Sequence, residues 1–267
     1  MAVAALFVSA CSAEPPERGG EDPAPNAAIT DFANRMAGVQ KPPPPAKPFD
    51  RSEKTDLLEF AYAWPAQAAS VPFIEEKLRK AMETGKADAL KMAKDDRKSA
   101  EQSGFPFRPH SLEVRWSVTA DTPRFLSLQS TTYTYTGGAH GMTGYDMLLW
   151  DKRRNRETNI RALMTSPEAF AAAIRDRFCE ALDKERARKR GGPVVPGDDP
   201  FTQCIDPMKE VLVPVSKDGK LIDSFTVIVG PYSAGPYAEG AYEVPIPVDA
   251  AIRNAIKTEY QGAFVNA

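Results

Sequence analysis

The residues best suited to chemistry lie in one short loop, which reads Gly137-Gly138-Ala139-His140-Gly141. Glycine permits positive φ angles and a close approach of the backbone, so a ligand could meet bare amide groups there. His140 could then serve as a hydrogen-bond donor or as a general base. A tight turn between two strands, with a histidine bonded to the backbone, has the same composition and is the interpretation that we favour. The candidate ligand-binding residues of this loop are Gly137, Gly138, His140 and Gly141.

A second candidate is the stretch at residues 231–242, which is rich in glycine and tyrosine. Tyr232 and Tyr237 could present their rings to a sugar or a peptide, because aromatic faces stack with little loss of conformational entropy. The same composition suits a loop that packs on its own sheet. Both interpretations stay open.

The sequence contains no further catalytic signature. No G-x-S-x-G, H-E-x-x-H or C-x-x-C motif accompanies the two loops. The only histidines are His110 and His140, which excludes a three-histidine metal site, and no spacing of carboxylates indicates zinc. We therefore predict no catalytic residue, no metal and no cofactor. With 36 acidic and 34 basic residues, the balanced charge argues against a nucleic-acid partner.

Five cationic residues crowd the stretch Lys184–Arg190. They could meet anionic lipid or a wall polymer. More often, a basic run at the end of a helix complements the helix dipole on a solvated face.

The N-terminus resembles a bacterial lipoprotein signal. Val8-Ser9-Ala10-Cys11 matches the lipobox pattern, so we predict a signal peptide at 1–10 and lipidation of Cys11. A signal peptide normally begins with a Lys or Arg, which is absent here, so we expect the natural start to lie upstream. Residues 11–49 are rich in proline and poor in large apolar side chains, which predicts a disordered tether.

The other two cysteines, Cys179 and Cys204, form an even pair once Cys11 is lipidated. In an oxidising compartment such a pair predicts a disulfide bond. Two buried free thiols are the alternative.

The elements that must position these residues follow from hydrophobic periodicity. Apolar residues alternate with polar ones from Leu112 to Ala120, which is typical of a strand with one buried face. Further strands are predicted at 55–63, 125–135, 145–150, 211–215, 221–229 and 242–246. Helices are predicted from Pro72 onward, behind a capping box at Thr165-Ser166-Pro167-Glu168, and over 248–260. The fold class is therefore α+β, with antiparallel meanders and hairpins packed against helices in two halves.

Two motifs carry a resemblance to a known family. Residues 133–141, Tyr133-Thr134-Tyr135-Thr136-Gly137-Gly138-Ala139-His140-Gly141, resemble the hallmark segment of the PdaC/RsiV-like domains. Residues 231–247, with Gly235-Pro236-Tyr237-Ala238-Glu239-Gly240 at their centre, resemble its C-terminal hallmark. These are extracytoplasmic domains of largely unknown function, found beside peptidoglycan-deacetylase domains and in lysozyme-sensing anti-sigma factors. The resemblance implies a PdaC-like half at 50–163 and an RsiV-like half at 164–267, and it transfers no active-site residue.

These observations favour a non-enzymatic lipoprotein of the cell envelope. We expect a membrane partner through the lipid anchor, and peptidoglycan, a glycan or an envelope protein as the ligand. Because Ser12 follows the cysteine, the periplasmic face of the outer membrane is favoured in a Gram-negative cell. The alternative is a cell-wall hydrolase or deacetylase that uses His140 as general base.

Overall fold

The computed structural model describes residues 45–195 and 197–266. The predicted signal peptide at 1–10, the predicted lipidation site Cys11 and residues 11–44 of the predicted tether lie outside this range. The described part has an α+β fold, as the sequence predicts. None of its helices combines the length and the hydrophobicity that a membrane crossing requires.

The larger sheet has six strands in the order β1-β2-β3-β4-β5-β6. Their bounds are β1 (Phe49–Lys54), β2 (Leu58–Trp64), β3 (His110–Asp121), β4 (Phe125–Tyr135), β5 (Met142–Asp151) and β6 (Arg156–Thr158). Strands β3 to β6 form the antiparallel meander that the alternating pattern predicts. Strands β2 and β3 run parallel, because a long helix crosses over between them.

That crossover contains a short helix, α1 (Ala66–Ala69), and a long one, α2 (Pro72–Ser103). Pro72 occupies the first turn of α2, where its missing N–H has no cost, and Gly104 ends the helix with a left-handed φ of 72°. The apolar stripe of α2 buries Ile74, Leu78 and Met82 against the sheet. This packing covers one face of the sheet and fixes the position of the helix.

The second sheet is antiparallel and has three strands, β7 (Val211–Val215), β8 (Ser224–Val229) and β9 (Tyr242–Pro247). The helices of this region are α3 (Ile160–Leu163), α4 (Pro167–Arg190), α5 (Ala250–Asn254) and α6 (Thr258–Gln261). Single 3₁₀ turns occupy Pro200–Thr202, Pro207–Lys209 and Tyr237–Glu239. Helix α4 packs Phe170, Ile174 and Phe178 on this sheet, in a cluster that also holds Phe125 and Leu149 of the larger sheet. The predicted boundary between two halves at residue 163 stays a prediction.

Three local predictions differ from the structure. The segment 55–63 is a turn at Thr55–Leu57 followed by β2, and an unpredicted strand, β1, precedes it, beginning at Phe49, the last residue of the predicted tether. Asp249 caps α5, and the chain then breaks before α6, so 248–260 is two short helices. The N-cap of α4 is Ser166, whose side chain accepts the Ala169 N–H at 3.0 Å. The residue three positions after this cap is Ala169, which has no side-chain acceptor for the backbone N–H of Ser166. Only one of the two hydrogen bonds of a capping box therefore forms.

Candidate functional site

Two loops that are distant in sequence meet at the aromatic face, defined here as the side chains of His140, Tyr232 and Tyr237. The rings of His140 and Tyr237 stack with their centroids 3.8 Å apart and their planes 18° apart. The ring of Tyr232 lies 5.7 Å from that of Tyr237. His140 is exposed and Tyr232 is 50% exposed, so solvent reaches this face.

Both loops converge on one carbonyl oxygen, that of Gly141. The Tyr237 hydroxyl donates to it at 2.7 Å, and the Nδ1 of His140 lies 3.0 Å from it. Because a carbonyl only accepts hydrogen bonds, this contact assigns the proton to Nδ1 and leaves Nε2 as the free ring nitrogen. A Cβ at position 141 would lie 2.5 Å from the ring of Tyr133, so any larger residue there would displace that ring.

Backbone strain marks the second loop. Tyr232 has a φ of 71°, in the left-handed region that a bulky side chain rarely adopts. Such a conformation costs about 1–3 kcal/mol and persists only where the surroundings hold it in place.

The basic end of α4 supplies that support. Arg186 is fully buried, and its Nε donates to the Ala234 carbonyl at 3.0 Å. Its Nη2 donates to the Gln203 carbonyl at 3.0 Å, and its Nη1 pairs with Asp183 at 2.9 Å. One guanidinium group thereby ties two segments to the same helix: the 200–204 segment and the tyrosine loop, defined here as residues 230–241 between β8 and β9.

Lys189 and Arg190 hold the far end of the same loop. Arg190 donates to the Glu239 carboxylate at 2.9 Å, and Lys189 donates to the carbonyls of Glu239 and Ala241. The ammonium group of Lys189 also lies 4.3 Å from the ring centroid of Tyr242, and burial lowers the pKa of this lysine. This part of the basic stretch is therefore a clamp on the loop, while Lys184 and Arg188 pair with carboxylates on their own helix.

The disulfide bond between Cys179 and Cys204 is present, as the sequence predicts, with the two Cα atoms 5.3 Å apart. It fastens the segment before β7 to α4, directly beside the Gln203 carbonyl that Arg186 binds. The disulfide bond and the buried guanidinium of Arg186 thus hold the same 200–204 segment against α4.

Glu210 lies beneath the start of the tyrosine loop. Burial raises the pKa of this carboxyl, and hydrogen bonds from the Gly230 backbone and the Ser233 side chain offset the rise only in part.

Gly137 and Gly138, which the sequence groups with His140, belong to a different cleft. They have φ angles of 100° and 84°, and the Tyr135 hydroxyl donates to the Gly138 carbonyl at 3.2 Å. Their cleft also contains His110. The structure thus brings four of the six candidates together and separates the other two.

His110 is the residue that the sequence analysis did not select. It begins β3, is 2% exposed, and its Nε2 lies 3.1 Å from Oδ2 of Asp96 on α2. Extending the alternating pattern of β3 back by two residues from Leu112 would have placed His110 on the buried face. Within the described ranges, no three His, Cys, Asp or Glu side chains are grouped in a way that could hold a metal ion.

Comparison with known proteins supports part of the resemblance. The model of the family described as Deacetylase PdaC matches residues 51–143. This PdaC-matching segment runs from β1 through the 137–141 loop, so it includes the first hallmark motif and excludes the second. No curated protein matches the chain.

The solved structures that are similar to this chain include two proteins of the DUF3298 family. One is a DUF3298 family protein of Pseudomonas aeruginosa, with 16% identity and a TM-score of 0.49, covering 83% of this chain and 97% of its own. The other is a DUF3298 family member of Bacteroides fragilis, also with 16% identity and a TM-score of 0.49, covering 81% and 95%.

Proposed function

We propose that this protein is a non-enzymatic binding module of the cell envelope that holds peptidoglycan through the sugars of its glycan strands. The aromatic face is the proposed contact surface. The observation that carries the proposal is a set of three rings, those of His140 and Tyr232 exposed and that of Tyr237 half-buried, already assembled from two loops and held in position by hydrogen bonds.

Preorganisation makes this surface suitable for sugar polymers, whose repeated units each bind weakly. A loop that must order itself on binding loses conformational entropy, which subtracts directly from the affinity. Here the buried Arg186 and the Gly141 carbonyl hold the rings before any ligand arrives. Tyrosine adds a hydroxyl group for polar contacts at the edge of a sugar ring.

The surroundings of His140 favour binding over catalysis. A general base needs an orienting group and a substrate position within hydrogen-bond reach. The Nδ1 of His140 contacts the carbonyl of its own neighbour, and no carboxylate of the described residues lies within ion-pair distance of its ring.

The envelope location is part of the proposal. A disulfide in a domain of this size suits an oxidising compartment. Lipidation at Cys11 and a tether from 11 to about 49 would hold the domain near a membrane and leave its loops free to reach the wall. Metabolic labelling with a fatty acid, in the full-length protein and in Cys11→Ala, tests the anchor.

Cosedimentation with purified peptidoglycan tests the binding surface. We expect Tyr232→Ala to weaken binding by up to about tenfold, because a stacked aromatic ring contributes about 0.5–1.5 kcal/mol. The matched control is Phe73→Ala, since Phe73 is 52% exposed and lies at the start of α2, outside the aromatic face.

Two outcomes would overturn the proposal. Equal binding by both variants would remove the aromatic face from the interaction. Turnover of wall fragments by the wild-type protein, lost in a folded His140→Ala variant, would establish the enzyme alternative instead.

A further inference from the structure

A second cleft lies at the end of α2, separate from the aromatic face. It has a volume of about 500 Å³, within the range of small-molecule sites. Three segments form it: the last turns of α2, the connection to β3, and the end of β4. Asp96, Arg108, His110, Gly137 and Gly138 line the cleft.

The imidazole of His110 is the buried polar group of this cleft. Its Nε2 lies 3.1 Å from Oδ2 of Asp96, whereas its Nδ1 is buried and has no hydrogen-bond partner among the described residues. A buried, unpaired ring nitrogen costs about 1–3 kcal/mol. Native proteins keep few such groups, and those that persist call for an explanation such as a ligand or a functional role.

Two oppositely charged side chains that can still form hydrogen bonds flank this histidine. Asp96 is half exposed, and among the described residues it forms an ion pair only with His110. Arg108 is exposed and forms no ion pair or hydrogen bond with any described residue, although nearby Arg97 pairs with Asp56. An acidic group and a guanidinium group in one cleft match a ligand that carries both an ammonium and a carboxylate.

The backbone at Gly137 and Gly138 adds donors to the same cleft. Neither amide N–H donates a hydrogen bond to another described residue, and the positive φ angles of both glycines leave no side chain over them. A carboxylate that meets Arg108 could therefore also accept from these amides.

We propose that this cleft is a second binding site, for a small zwitterion such as an amino acid or a short peptide with free ends. The ammonium of the ligand lies against Asp96, and its carboxylate lies against Arg108 and the glycine amides. His110 is the polar floor of the cleft, and its Nε2 lies against the Asp96 carboxylate that receives the ammonium. The site is independent of the aromatic face.

The two histidines provide separate reporters for the two sites. We would titrate the protein with the dipeptide Ala-Ala and record the imidazole signals by NMR, assigning them with His140→Phe. We expect the His110 signals to shift saturably while the His140 signals stay in place. N-acetyl-Ala-Ala and Ala-Ala-amide, each of which lacks one charge, should bind at least about tenfold more weakly.

Arg108→Gln should also weaken Ala-Ala binding at least about tenfold. Arg115→Gln is the matched control, because Arg115 is an exposed arginine of β3 that does not line the cleft. Three outcomes would each overturn the proposal: unchanged His110 signals, binding of a blocked dipeptide as tight as that of Ala-Ala, or equal affinities of the two variants for Ala-Ala.

Discussion

Replacement of Arg186 by methionine tests the claim that one buried guanidinium holds the tyrosine loop. Methionine keeps the apolar stem and the helix propensity but removes every donor. The Gln203 carbonyl then loses its partner, and the Ala234 carbonyl keeps only a 3.4 Å contact from Arg190. A hydrogen bond to a charged group contributes about 1.5–3 kcal/mol. Asp183 is half exposed and can be hydrated, so the loss of its ion pair with Arg186 adds little to the loss of stability. We expect a total loss of about 3–5 kcal/mol.

Chemical denaturation measures this loss, and the same helix offers a matched control. Arg188 pairs with Glu185 at 2.9 Å, but its side chain is 66% exposed, so Arg188→Met should cost no more than about 0.5 kcal/mol. Because the loop loses its anchor only in Arg186→Met, the His140 imidazole signals should move in that variant alone. Equal free energies of unfolding for the two variants would refute the claim that Arg186 holds the tyrosine loop.

Two further predictions concern the supports of the loop. Replacing Cys179 and Cys204 by serine should lower the free energy of unfolding by about 3–4 kcal/mol, because the bond closes a 25-residue loop; an unchanged denaturation midpoint would contradict this. Burial raises the pKa of Glu210, so the folded state holds this proton more tightly than the unfolded state does. That contribution to stability is complete at acidic pH and is lost as the pH rises through the folded pKa. Glu210→Gln should therefore gain stability over the wild type as the pH rises from ~3 to ~7, and a pH-independent difference between the two proteins would count against this cause.

Strands with an alternating pattern could be predicted because one of their faces is buried. The pattern from Leu112 to Ala120 predicts β3 well, and the β-branched and aromatic residues of 125–135 predict β4. The parallel pairing of β2 and β3 could not be obtained in this way, because periodicity defines the faces of a strand but not the direction of its neighbour. The long helix between the two strands was the available clue.

The candidate site could be predicted only in part. Composition alone groups all five residues of the 137–141 loop, yet the loop crosses between two sites. Gly137 and Gly138 face one site, and His140 faces the other. This division depends on the backbone angles of the glycines. Because glycine can adopt many such angles, the residue types alone do not predict which way each part of the loop faces.

The role of the basic stretch was hidden for a different reason. A run of cationic residues at a helix end is typical of a solvated surface. Arg186 departs from this pattern because two backbone carbonyls, from segments 17 and 48 residues away, surround its guanidinium group. Long-range contacts of this kind leave no trace in the local sequence.

The first strand of the sheet has a consequence for how the molecule avoids self-association. Strand β2, with the sequence Leu-Glu-Phe-Ala-Tyr-Ala-Trp, is apolar and would offer unpaired backbone groups to another chain if it lay at an edge. In the described structure β1 pairs with it instead, and β1 carries charged side chains that form ion pairs with Glu59 and Lys86. The charged strand β1 therefore covers the edge of β2, so that the apolar strand lies inside the sheet and cannot pair with another chain. A shortened form of the protein that begins after residue 54 would lose this protection while keeping every residue of both proposed sites.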